Sequence, residues 1–182
     1  MKYIFICLML ITTYSFSIQR SDVYKAYQNK HYKTACTLAA KIYLYHKKDN
    51  DFLTVFANSC LKADNINRMA FPAMLLIRDP GARSNSIYFL TILYQKKLLY
   101  KSLIDGFDVS KYNFPTTDYI LSKIFVKYSK KDYKKLANTY IFTDDKDKDV
   151  TYKMNVIKDK GVYKIVLKTF KKSVLVKKRV YW

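Results

Sequence analysis

The sequence predicts a mainly α protein: a solenoid of about four helical hairpins, followed by a small C-terminal antiparallel β-hairpin or meander. Three observations predict it. Apolar positions recur at a 34-residue step, in one register, over about a hundred residues. Within each unit they fall at i, i+3, i+4, i+7, the spacing of one helix face. From Val150 the period changes to alternation, the spacing of strands.

The first element, MKYIFICLMLITTYSFS, has the parts of a secretory signal peptide: Lys2, an apolar run from Tyr3 to Ile11, and small residues at Ser15 and Ser17. Cleavage after Ser17 would start the mature chain at Ile18 and place it in the periplasm. The apolar run is shorter than the ~20 residues of a spanning helix, and Cys7 lacks the small residues that precede a lipoprotein cut. Export would leave Cys36 and Cys60 in an oxidising compartment, where pairing is the default. The net charge is +20, or +19 once Lys2 is removed. Outside the cytoplasm the anionic partners for such a chain are acidic protein faces, lipid head groups or cell-wall polymers, not nucleic acid.

The 34-residue step links Ala26, Cys60, Tyr94 and Tyr128; Leu53, Ile87 and Leu121; Phe56, Leu90 and Ile124; Tyr32, Ile66 and Tyr100; and Ala35, Met69, Leu103 and Ala137. Leu53, Phe56, Ala57 and Cys60 form the stripe of one helix, and Ile66, Met69, Ala70 and Ala73 that of the next. The break LKADN between them is too short for anything but an antiparallel pair. Pro80-Gly81 and Pro115 read as unit ends, and Thr117 as the cap of the helix that follows.

A 34-residue helix-turn-helix unit with Ala35, Ala57, Ala137 and Pro115 at its small and proline positions resembles the tetratricopeptide repeat. Met69, Thr91, Leu103 and Phe125 depart from that pattern, so the resemblance is to a degenerate member running from Ser21 to about Asp144. It implies a right-handed α-solenoid domain over residues 18–149, ahead of the β tail at 150–182. It also implies that the first helix of each unit lines a concave face, which places Asn58, Lys62, Tyr88, Ile92, Lys96, Tyr119, Val126 and Lys130 toward a partner. Lys62, Lys96 and Lys130 recur at the repeat step and would form a ladder suited to an acidic segment. The plainer reading is that each lysine complements a helix C-terminus.

Cys36 and Cys60 each lie twelve residues from Lys48, the middle of the turn between two predicted helices. Residues equidistant from such a turn stand at one height, so a Cys36–Cys60 disulfide is reasonable; two buried free thiols are the alternative.

The tail segments VTYKMNVI, VYKIVLKTF and VLVKKRVYW alternate β-branched or aromatic residues with lysine, as strands do. KDKG supplies a turn with Gly161 in the left-handed position, while Lys171-Lys172-Ser173 is a weaker turn signal. The tail carries nine lysines and one arginine against Asp159 alone, and one face of it is expected to pack on the last helices.

Catalytic chemistry has few candidates. No Glu occurs, the two histidines His31 and His46 read as solvated helix ends, and no phosphate-cradling or nucleophile motif is present. Asp145, Asp147 and Asp149 have calcium-loop spacing, but Val150 and Val156 occupy positions that need glycine and a carboxylate. The reading is a protein without metal or cofactor: a non-catalytic periplasmic protein–protein interaction scaffold whose partners are other envelope proteins. By fold-level analogy it would be an accessory part of a large machine such as a flagellar motor or secretion system. The alternative is a basic binder that docks on anionic lipid or cell-wall polymer.

Overall fold

The computed structural model describes residues 18–182; the predicted leader, 1–17, lies outside them. Six helices come first: α1 (Arg20–Gln28), α2 (Tyr32–Ile42), α3 (Asn50–Lys62), α4 (Ile66–Leu75), α5 (Pro80–Asp105) and α6 (Ile120–Ser129), with a 3-10 turn at Tyr43–His46. Five strands follow: β1 (Lys134–Leu136), β2 (Thr139–Thr143), β3 (Val150–Asp159), β4 (Val162–Lys171) and β5 (Val174–Tyr181). They form one antiparallel sheet in the order β1-β2-β3-β4-β5. The expected mainly α solenoid with a small hairpin is therefore corrected to a mixed α/β fold. No helix among the described residues is long and apolar enough to cross a membrane.

The 34-residue step holds through α1–α4. Lys30 and Asp64, one step apart, both take left-handed backbone (φ 60° and 59°) in three-residue helix connections. The same loop-closing bond recurs, from His31 N–H to the Ala26 carbonyl and from Asn65 N–H to the Cys60 carbonyl. Each pair is a helical hairpin closed by a short loop. Cys36 on α2 and Cys60 on α3 form a disulfide, with Cα atoms 4.8 Å apart.

At α5 the step fails. Pro80-Gly81, read as a stop, is a start: Asp79 is the N-cap, its carboxylate accepts from Ala82 N–H at 2.8 Å, and Pro80 takes the first-turn position that costs no hydrogen bond. No glycine or proline interrupts the next 24 residues, so the helix continues until Gly106, whose left-handed backbone (φ 72°) ends it. One continuous helix cannot present the stripe that two helices would. Its buried side is Phe89, Ile92, Gln95, Lys96 and Leu99, while Ile87 and Tyr94, expected inside, are exposed.

Two further expectations change beyond α5. Residues 106–119 form no helix, and Tyr119, not Thr117, is the N-cap of α6. The sheet also begins at Lys134 instead of Val150, so DDKDKD joins β2 to β3 and Ala137, expected in a helix, sits in a hairpin turn at φ 47°.

In the sheet, cross-strand partners share a face. Phe142, Tyr152, Met154, Ile165, Leu167 and Tyr181 are buried on the inner face, in one hydrophobic core with Phe56, Ile92, Leu121 and Phe125 from the helices. Lys160-Gly161 and Lys172-Ser173 make two-residue turns with positive φ at both positions, the hairpin geometry that matches strand twist.

Candidate functional site

The predicted partner-binding residues are distributed among several environments. Ile92 is wholly buried in the core, and Asn58 is half-buried on α3. Lys62 is exposed at the end of α3, with its ammonium 5.3 Å from the Tyr27 ring centre and 4.8 Å from that of Tyr32. Tyr88 donates to Asp118 at 2.8 Å. Val126 and Lys130 line a shallow groove with Tyr112 and Phe114. The three lysines of the expected ladder thus occupy unlike places, and Lys96 is 1% exposed. The continuous α5 turns it inward.

Two of these residues meet at β5. Lys96 donates to Asn67 Oδ1 (2.7 Å) and to the main-chain oxygen of Trp182, which also accepts from Asn67 Nδ2 at 2.7 Å. No side-chain carboxylate pairs with its ammonium among the described residues. Burial, with Lys97 nearby, pushes its pKa down to about 8. Tyr119 donates to Asp64 Oδ1 at 2.7 Å, and its hydroxyl lies 3.2 Å from that of Tyr181. Burial, followed by Tyr181 and Asp64, drives the Tyr119 hydroxyl far above the ordinary tyrosine range, so it remains a donor. Asp64 also takes Arg179 Nε at 3.2 Å and Lys177 Nζ at 3.6 Å. The left-handed turn between α3 and α4 holds this carboxylate toward β5. The cluster clamps the sheet to the helices through these hydrogen bonds and ion pairs.

Beside the clamp lies a groove of about 500 Å³, lined by α2, the α3–α4 turn and β5. Lys33, Arg68, Lys178 and Arg179 border it, Cys36 of the disulfide lines it, and the one carboxylate side chain among the described residues that line it is Asp64, which is already bridged twice. Three separate elements therefore bring four cations to a single concavity. The sequence identified none of these four as binding residues, because the groove forms only when β5 returns to α2 and α4. Their charge was the available signal; their convergence was not.

The acidic loop is absorbed by structure. Asp144 accepts from Lys146 N–H (2.9 Å), Asp147 N–H (3.1 Å) and the Tyr152 hydroxyl (2.6 Å). Asp145 pairs with Lys127 at 2.6 Å, and Asp147 with Lys171 at 3.4 Å. These carboxylates turn the chain and meet lysines, the task of a connector. The chain matches no family model, no curated protein and no solved structure.

Proposed function

We propose that the protein is a non-catalytic interaction scaffold of the cell envelope that holds an acidic segment of a partner protein in the groove between α2, α4 and β5. The observation that carries this reading is the set of four cations around a concavity whose only carboxylate side chain, among the described residues, is already neutralised. A chain of carboxylates entering there meets Lys33 and Arg68 on one wall and Lys178 on the other. Arg179, fixed by Asp64, lends positive potential from the floor. Such complementarity sets on-rate and partner choice more than raw affinity, so binding is expected to be salt-sensitive.

Titration of a fluorescent oligo-aspartate peptide into the full chain tests it. Lys33→Glu with Arg68→Glu should weaken binding at least about tenfold, since each lost and reversed contact at a partly exposed site is worth on the order of 1 kcal/mol. The double variant keeps its melting temperature if neither residue supports the fold. Unchanged peptide affinity in a folded double variant would remove the groove from consideration.

A further inference from the structure

The face of the sheet turned away from the helices has a charge pattern that the core does not explain and that the groove shares only at Lys178. The strand register places Lys134 opposite Ile141, Ile141 opposite Lys153, Lys153 opposite Lys168, and Lys168 opposite Lys178. Four lysines thus stand in one transverse row across five strands, about 19 Å long at the usual strand spacing. Like charges directly opposite destabilise a sheet. Here three occupy adjacent strands, and among the described residues none of the four forms an ion pair. Lys164 shares the face and takes its one carboxylate, Asp159, at 2.6 Å.

Large apolar side chains stand between and beside these lysines. Leu136, Ile157, Leu175 and Trp182 are 39% to 70% exposed, and register or contact puts each on the same face: Leu136 opposite Thr139, Ile157 opposite Lys164, Leu175 opposite Phe170, and Trp182 beneath the Lys164 ammonium at 5.3 Å. Lys153 lies 4.8 Å over the Phe170 ring. The face is therefore two-dimensional, basic and studded with apolar groups.

We infer that this outer sheet face docks on a lipid bilayer rich in anionic head groups, through Lys134, Lys153, Lys168 and Lys178, with Leu175 and Trp182 entering the head-group layer. A second copy is a poor occupant, because the two lysine rows would face each other. An extended acidic chain could use one row of lysines, but it would leave the flanking Leu136, Ile157 and Trp182 in water. A planar anionic surface satisfies both sets at once: each lysine gains from the surface potential, and tryptophan favours the interface. Lys178 and Trp182 also border the groove, so the two readings are separated by substitutions that belong to one of them alone: Lys33 and Arg68 for the groove, Lys153 and Lys168 for the sheet face.

Trp182 is the only tryptophan, so its emission reports on the edge where this face meets the groove. The full chain would be mixed with phosphatidylcholine vesicles, with or without about a third phosphatidylglycerol, and with phosphatidylglycerol carrying brominated chains. The expected result is co-sedimentation with the anionic vesicles only, a blue shift of Trp182 emission, and quenching by the brominated lipid. Lys153→Glu with Lys168→Glu should lower vesicle affinity at least about tenfold, at about a fivefold loss for each surface lysine removed and more for reversal. Lys153→Gln with Lys168→Gln makes the same comparison should charge reversal disturb folding. Because every variant carries the same N-terminal segment, any contribution of that segment to vesicle binding cancels. Three results would overturn the inference: vesicle binding unchanged in both double variants, Trp182 left unquenched on bound vesicles, or binding to soluble polyphosphate or oligo-aspartate with none to vesicles.

Discussion

The two faces of the sheet carry cations in opposite ways. On the inner face Lys177 and Arg179 converge on Asp64, at 3.6 and 3.2 Å, and the carboxylate is further held by Tyr119. On the outer face Lys134, Lys153, Lys168 and Lys178 face one another without a carboxylate between them. The same residue types on the same strands serve different ends. A charge at a closed seam is costly without a partner, so Lys177 and Arg179 share the Asp64 carboxylate, and Lys96 donates to the Asn67 amide and the Trp182 main-chain oxygen. A lysine with no acceptor in the chain stays where water reaches it, and it remains available to something outside the chain. Compensation, and not the number of lysines, separates the two roles.

The largest effect expected from this contrast is at Asp64. Asp64→Ala would leave Arg179, Lys177 and the Tyr119 hydroxyl without their shared acceptor at the seam. A loss of about 2 to 3 kcal/mol is expected, the usual cost of stranding partly buried charged and polar groups. Chemical denaturation would measure it, and a loss below about 0.5 kcal/mol, the level of an exposed pair, would place Asp64 with the decorative surface ions.

A smaller effect belongs to Lys96, a buried cation with no side-chain carboxylate beside it among the described residues. Its folded pKa, near 8, is below the ordinary 10.5 it has when unfolded. Between those values the unfolded chain binds more protons, so stability rises as pH rises from about 8 toward 10.5. The tyrosines oppose this from pH 10 upward: Tyr119 and Tyr181 resist ionisation only when folded, so their contribution is lost there as pH climbs. The clean window is pH 8 to 10. A rise in melting temperature across it, absent from Lys96→Met, is the expected signature; a rise that persists in the variant would assign it to another group.

The smallest effect is on the outer face, and its sign is the informative part. Lys168→Thr removes the middle charge of three neighbours and inserts a strand-favouring residue. The protein should become more stable by a few tenths of a kcal/mol, measured at low salt and diminishing as salt is added. Destabilisation would mean that Lys168 has a structural partner after all.

Much of this was legible where chemistry is local. The strand segments from Val150 were marked by alternation, Gly161 by the turn it makes, and the Cys36–Cys60 pair by height in neighbouring helices. The extrapolation failed where a repeat step was allowed to override local signals. LYQKKLLYKS, one repeat step after LKADN, contains no breaker, so the second break that the step implies there has only periodicity behind it, and α5 runs on. TYIFT was equally visible as strand, with its β-branched and aromatic residues, but the same step claimed Ala137 for a helix. The groove, the clamp and the burial of Lys96 depend on β5 meeting α4, and no local pattern encodes that encounter. The lysine row is an intermediate case: each lysine is evident in its strand, whereas their alignment follows only once the register is set.

The strand order has a consequence in time. Every strand pairs with its sequence neighbours, and α1–α2 and α3–α4 each fold back through a three-residue connection, so both halves assemble from contacts close in the chain. Such contacts form quickly. The seam is different, because Asn67 reaches the Trp182 carbonyl and Asp64 reaches Arg179 across more than half the polypeptide. During synthesis the helices and the early hairpins can be in place long before residues 177–182 arrive, and until then the inner face of the sheet and the Asp64 turn wait uncovered. The final turn of the meander is thus the latch of the whole molecule, and the interval before it closes is when the chain is most exposed to wrong partners.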